Sequence, residues 1–381
     1  MKNFSTPISR LHVLPDELPF VRRLGNVHWG PLISALLLSL IGLATVRSAS
    51  SELAGDYMTR QMTWLALGCG VLLFIFLAFD YHALVDSAPA FYAIGLVLLV
   101  VVLFVGETRG GAKSWLVLGP LSGQPSELVK LATALMLCRA LSGIQRPYLS
   151  LKDIATAVVL AAAPMLLVAL ERDLGGAVMY APMLVALLLV AGVERRQLIA
   201  AALLALVLGA GLWQFAMHDY QKTRILSFLS PEADPLGAGY QVRQSKIAVG
   251  SGQWLGRGYG QGTQSQLRFL PERHTDFIMA VLAEEWGFLG VLVVLGLYGF
   301  YVYSAALIAL RSRDRTGILL VVSLLAILTF HTLYNTAMVV GLLPITGIPL
   351  PFLSYGGSFM LINFIATGLI LNVDYRRYVN R

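Results

Sequence analysis

The sequence predicts an all-α integral membrane protein of about ten transmembrane helices, and three observations carry that prediction. Of 381 residues, 57% are hydrophobic and only 13% charged, with a mean hydropathy of +0.73. A water-soluble fold cannot hide that much apolar surface. The apolar residues fall in runs close to the roughly twenty needed to cross a bilayer as a helix, with short polar segments between them. These runs show no period-2 alternation, and lipid admits only helices or closed barrels, so the spans are read as helices.

Residues 1–31 contain Pro7, Pro15, Pro19 and Pro31, which break any long helix and leave an N-terminal arm. The remainder, 32–381, reads as one polytopic domain. Spans are predicted near 32–47, 61–79, 89–106, 126–142, 154–171, 175–192, 198–217, 277–310, 317–343 and 357–373. The first run ends in Ser48-Ala49-Ser50, which imitates a signal-peptide cleavage site, but the long polar stretch before it argues for an uncleaved span. An even number of spans places both termini on one side. Arg22, Arg23, Arg139, Arg146, Lys152, Arg195, Arg196, Arg311, Arg313, Arg315, Arg376 and Arg377 fall on that side, against Arg47, Arg60, Arg109, Lys113 and Arg172 in the short loops opposite. The positive-inside rule therefore makes both termini cytoplasmic. The net charge of +7 follows from this bias and implies contact with membrane lipids, with no nucleic acid as partner. Cys69 and Cys138 lie in separate apolar spans as small core residues, without a disulfide framework.

Between the seventh and eighth spans lies one large extracytoplasmic loop, 218–276. A loop of this length in a compact protein usually has work to do. It carries Arg243 and Lys246 and a glycine-rich stretch, Gly250 to Gln264. A dinucleotide cradle needs a strand before those glycines and a helix after them, and neither is predicted. A tight turn whose amides approach a sugar or phosphate is the remaining functional reading. The eighth segment, Phe277 to Leu310, exceeds one bilayer crossing by about half. Gly287 and Gly290 offer a kink to absorb the surplus, leaving 277–285 as a half-helix that Asp276 opens with Thr275 as N-cap.

Ionisable groups inside or at the edge of a membrane are costly, on the order of ~3 kcal/mol each, and so are functional candidates. Nearly all of them gather toward the outer face: Arg109, Lys113 and Trp115 after the third span, Glu127 and Lys130 opening the fourth, Asp173 after the fifth, and Asp276 before the eighth. The plain structural readings are an i,i+3 ion pair for Glu127 and Lys130, a solvated turn for Arg172-Asp173, an interfacial anchor for Trp115 and a helix contact for His331. No His, Cys, Asp and Glu spacing matches a closed metal site. A divalent cation, Mg or Mn, carried on a substrate's phosphates is compatible with the chain. The last outer loop, Gly341 to Ser358, is rich in proline and glycine and is expected to re-enter or cap the bundle. Its Ser354 lacks the Gly-x-Ser-x-Gly context of a hydrolase nucleophile.

Taken together, RGGAKSW (109–115), QPSELVK (124–130), Asp173-Leu174-Gly175, FLPERHTDF (269–277) and PITGIPLPFLSYGGS (344–358) resemble the SEDS family of RodA and FtsW, in order and from the first span to the last. His274-Thr275-Asp276 and the wording of the last motif are closer to RodA. The chain departs from the usual wording at Glu171-Arg172, where Gln-Pro is typical, and at Met279, where Phe is common.

The resemblance implies a peptidoglycan glycosyltransferase that polymerises lipid II at the outer face of the bacterial cytoplasmic membrane during elongation. Its usual partner is a class B penicillin-binding protein, a transpeptidase. Asp276 becomes the expected general base, taking the proton from the acceptor sugar's 4-hydroxyl. The leaving group is a lipid pyrophosphate that departs without protonation, so cations rather than a second carboxylate are needed. Arg109, Lys113, Lys130, Arg243 and Lys246 are expected to supply them. Trp115, Glu127, Asp173, His274, Thr275 and Ser354 complete the expected substrate-binding set. Two other readings compete: a lipid II flippase, and a scaffold that only recruits a transpeptidase. A carrier predicts charges at the bilayer midplane, whereas the charges here crowd one face.

Overall fold

The computed structural model describes residues 24–51, 56–109, 111–118, 121–201, 203 and 237–377. In order these form α1 (Gly30–Ala49), α2 (Tyr57–Ala78), α3 (Tyr81–Asp86), α4 (Ala88–Val105), strands β1 (Glu107–Arg109), β2 (Ala112–Leu118) and β3 (Leu121–Gly123), α5 (Pro125–Ser142), α6 (Leu151–Leu170), α7 (Leu174–Val178), α8 (Tyr180–Ala191), α9 (Ala238–Ser251), α10 (Thr263–Gln266), α11 (Ile278–Arg311), α12 (Arg315–Val339) and α13 (Gly357–Arg376). Among them eight helical segments are long and apolar enough to cross a membrane, with α7 and α8 counting as one. The expected fourth span forms as α5, whose Glu127, Lys130 and Arg139 within eighteen residues keep it out of those eight. The expected seventh span, 198–217, lies almost entirely outside the described residues.

Short polar residues start the helices where the sequence places them. Asp56 caps α2 through Thr59 N, Ser150 and Asp153 form a reciprocal capping box on α6, and Asp314 caps α12 through Gly317 N. The outside of the bundle is apolar: Phe104, Val105, Leu166, Leu170, Leu292 and Val293 are exposed. That inversion of the soluble pattern is what a lipid solvent demands. Inside, α2 packs on α13, α1 on α11, and α12 against α5, α8 and α11.

Two segments expected as loops are structured. The loop after α4 is a three-stranded antiparallel sheet in the order β1-β2-β3, pairing Thr108 with Lys113 and Val117 with Ser122. The second is in the expected outward loop, whose described part, 237–276, holds α9 and α10 and packs along α11 and α12.

The surplus length of α11 is absorbed at Gly287, which leaves the helical region at φ 69°, ψ −167°. The break orphans backbone groups that lipid cannot satisfy, and the glycine-rich stretch supplies their partners. Phe288 N and Leu289 N donate to Gln253 O and Trp254 O at 2.8 and 3.2 Å, and Glu284 O and Glu285 O accept Arg257 N and Gly258 N at 2.9 and 3.1 Å. The backbones come so close that a Cβ at Gly256 would lie 2.1 Å from Glu285 O. Those amides are therefore already engaged inside the protein, which removes the sugar- or phosphate-cradle reading of the glycines. Glu284, fully buried, accepts Gln264 N at 2.9 Å and Ser265 N at 3.2 Å. Glu285 accepts the Ser48 hydroxyl. Both acids are structural.

Candidate active site

Asp276 sits two residues before α11 in a run of turns, 271–277, and is half-buried. The expected cap does not form: the helix starts at Ile278 with Phe277 at the N-cap position and no side-chain cap. Thr275 Oγ1 instead bonds Glu272 O at 3.2 Å and Glu272 Oε2 at 3.1 Å, and Glu272 O accepts both Thr275 N and Phe277 N. A tight turn with Glu272 at φ 48° replaces the first helical turn.

What holds that turn comes from far along the chain. Ser354 Oγ donates to Thr275 O at 2.6 Å and accepts Leu350 N at 2.8 Å, and Tyr355 N donates to His274 O at 2.9 Å. Asn335 Nδ2 on α12 bridges Asp276 O at 2.7 Å and Ile348 O at 2.8 Å. Gln61, fully buried on α2, donates to Ser354 O and accepts Gly356 N. Rings of Tyr57, His274 and Tyr355 meet edge-on or tilted at 5.1 to 5.7 Å. Burial, reinforced by the neighbouring Arg273 and opposed by Glu272, holds His274 below the usual imidazole range. Gly347 (φ 74°) faces the carboxylate: a Cβ there would stand 3.5 Å from Asp276 Oδ2. Ser354, 1% exposed with its hydroxyl used in both directions, holds the site together from behind.

A second cluster adjoins the first through the same loop. Lys130 Nζ pairs with Glu127 Oε1 at 2.8 Å, both buried, as the three-residue spacing requires. Lys130 Nζ also lies 3.3 Å from His331 Nε2, while His331 Nδ1 lies 3.2 Å from Pro349 O. A proton on Nδ1 serves the carbonyl and leaves Nε2 to accept from Lys130. His331 and Asn335 are one helical turn apart on α12, so α12 bridges both clusters to residues 348–349. Pocket walls beside this triad include Leu131, Phe359 and Asn363.

Asp173 is not a solvated turn. It caps α7 through Gly176 N at 2.8 Å and accepts Gln124 Nε2 at 2.7 Å, and the following Gly175 abuts Thr346 O. Burial raises its carboxyl, and the Gly176 amide and Lys130 oppose that rise. Beside it, Glu171 is 1% exposed and neither carboxyl oxygen has a hydrogen-bond partner among the described residues. Burial and the charge of Asp173 push it up to about 8.

The sheet brings in the remaining outer cations. Lys113 N donates to Glu171 O at 2.8 Å, and Lys113 Nζ to Phe104 O at 2.9 Å. Arg109 pairs with Glu107 at 2.7 Å and lies 5.0 Å over the Trp115 ring. On α9, Arg243 and Lys246 are exposed, with Ser245 between them bonded to Val339 O and the Lys246 stem against Gly341. His274, Thr275, Asp276, Ser354, Lys130, Asp173 and Lys246 thus meet at the 341–358 loop directly or through one neighbour, while Arg109, Lys113 and Trp115 stay on the sheet at the same end of the bundle. Sequence reasoning missed Gln61, Asn335, Gln124 and Glu171. A polar residue within an apolar span is the signal for the first two.

Comparison with known proteins places this arrangement. The family model for the cell cycle proteins FtsW, RodA and SpoVE matches residues 29–379. Peptidoglycan glycosyltransferase MrdB of Escherichia coli K12 is 40% identical over 92% of this chain and 95% of its own. Peptidoglycan glycosyltransferase RodA of Treponema pallidum is 30% identical over 94% and 99%. Among solved structures, one described as "Structural coordination of polymerization and crosslinking by a peptidoglycan synthase complex" aligns at TM-score 0.81 and 32% identity, covering 92% and 98%. The rod shape determining protein RodA of Thermus thermophilus aligns at 0.68 and 31%, covering 92% and 97%. By model, sequence and structure, the chain belongs to the FtsW/RodA/SpoVE family.

Proposed function

We propose that this chain is a peptidoglycan glycosyltransferase of cell elongation, polymerising lipid II at the outer face of the cytoplasmic membrane. It has ten spans and both termini in the cytoplasm. In support, helix ends alternate so that Asp276, the sheet and the 341–358 loop share one end, while Arg139, Arg146, Arg311, Arg315 and Arg376 share the other. The arm 1–31, the membrane domain 32–381 and the loop 218–276 are parts of this same reading.

Asp276 is the general base. The single observation carrying that role is its placement: a half-buried carboxylate, fixed through its own backbone by Asn335, fronted by a glycine. It takes the 4-hydroxyl proton as that oxygen forms the bond to the donor's anomeric carbon and the bond to pyrophosphate breaks, with inversion. General-base assistance of this kind contributes typically ~10²–10⁴ in rate. Lys130, Lys113, Arg109, Arg243 and Lys246 receive the pyrophosphate charge, alone or with a divalent cation that arrives on it. Glu127 and Asp173 orient those cations, and Trp115, His274 and Thr275 border the sugars. A class B penicillin-binding protein is the transpeptidase partner.

The test is polymerisation of labelled lipid II by the purified chain, with and without such a partner, read as glycan ladders on a gel. Asp276→Asn should abolish the ladder while leaving thermal unfolding unchanged. A ladder from Asp276→Asn equal to the parent's would remove Asp276 from the chemistry.

A further inference from the structure

The end of the bundle opposite Asp276 carries a separate polar cavity of about 600 Å³, where α2, α11 and α13 end and α12 begins. Its acidic walls are already matched. Asp314 accepts Tyr81 Oη at 2.5 Å and Gly317 N at 3.2 Å and lies 3.3 Å from His82 Nε2. His82 Nδ1 in turn lies 3.0 Å from Asp80 Oδ1. Asp374, nearby on α13, accepts His28 N at 2.7 Å and lies 3.1 Å from Arg377 Nε.

Two of the three basic walls are not matched in the same way. Arg313, in the short turn between α11 and α12, is exposed and makes no hydrogen bond or ion pair among the described residues. Arg376 donates through Nη2 to Phe79 O at 2.6 Å, but its buried Nε has no hydrogen-bond partner among the described residues. Two guanidinium groups with donors to spare, around a cavity whose carboxylates are occupied, are complementary to an anion with several oxygens. Position narrows the anion further. Under the topology proposed above, this basic end meets the cytoplasmic leaflet, where phosphate-bearing anionic headgroups are concentrated.

We propose that this cavity is a phosphate site that holds the headgroup of an anionic lipid from the cytoplasmic leaflet, with Arg313 and Arg376 as donors. It is distinct from the polymerisation site at the other end of the bundle. Its test therefore stands whether or not the catalytic reading does.

The full-length protein in detergent would be titrated with phosphatidylglycerol or phosphatidylcholine and the bound lipid read by native mass spectrometry. The double variant R313Q/R376Q should bind phosphatidylglycerol roughly thirtyfold more weakly, given the attraction each basic residue exerts near a membrane surface. R313Q alone, which breaks no contact among the described residues, should show part of that loss, guarding against misfolding of the double variant. R311Q removes an exposed arginine that does not line the cavity and should bind as the parent does. Inorganic phosphate should compete with phosphatidylglycerol in the parent. Equal binding of the two lipids, with inorganic phosphate still bound, would replace the lipid by a soluble phosphate. Unchanged phosphatidylglycerol binding in R313Q and the double variant, or an equal loss in R311Q, would overturn the site.

Discussion

Glu171→Gln should make the protein more stable at alkaline pH while changing little in mild acid. The Glu171 carboxyl is buried, its oxygens have no hydrogen-bond partners among the described residues, and Asp173 adds a like charge beside it. The folded protein therefore keeps a proton that the unfolded chain releases. Between an unfolded value near 4.5 and a folded value of about 8, each pH unit removes up to about 1.36 kcal/mol of stability. The sign is fixed by the proton count: stability is fully present below the lower value, falls as pH rises, and levels off above the upper one. Over that interval the loss sums to roughly 5 kcal/mol, an upper bound because the 171–173 turn can open to water. Half of it would still shift a melting temperature by several degrees. Glutamine has the shape of the neutral acid and does not titrate. Thermal unfolding of parent and variant in the same detergent, at about pH 5 and about pH 9, measures the effect. A stability gap that is equal at both pH values would show that Glu171 holds no such proton.

Three other substitutions probe the frame around Asp276. Asn335→Ala leaves the carbonyls of Asp276 and Ile348 without their shared donor; it should cost about 2–3 kcal/mol in thermal unfolding and lower the yield of glycan. Gly347→Ala combines a left-handed backbone, a penalty of roughly 1–2 kcal/mol, with a methyl group 3.5 Å from Asp276 Oδ2. Initial rates against lipid II concentration should show kcat falling more than KM rises. Ser354→Ala strands the buried Leu350 amide and Thr275 carbonyl and should destabilise by about 1–3 kcal/mol, whereas Ser354→Thr should retain most of the bonding if the extra methyl fits. An S354A protein with parental stability would remove Ser354 from the frame.

The spans were legible because each is a local property: α1, α4 and α6 are apolar runs ended by polar or glycine residues. The break at Gly287 was legible too, since 34 residues are more than one crossing needs. What lay beyond reach depends on distant partners. Nothing near Thr275 tells that Ser354 and Tyr355, some eighty positions later, draw its carbonyl and that of His274 into a turn instead of a helix. The α9 segment, AGYQVRQSKIAVGS, is too polar to show a span and too short to show itself as a helix among glycines. The sheet at 107–123 has two strands of three residues, too short for alternation to resolve, and one of seven, AKSWLVL, in which polar and apolar residues do not alternate. Glu127 and Lys130 were placed correctly by spacing alone. Their junction to His331 needed the fold.

The splice at Gly287 bears on where this chain can vary in length. Surface loops usually tolerate insertion. Here Gln253, Trp254, Arg257 and Gly258 each meet a fixed partner on either side of the helix break. One residue added or removed between 253 and 258 would throw two donors and two acceptors out of register at once. Glycine-rich though it is, this stretch should have a fixed residue count among proteins that share the break, with length differences displaced to its flanks.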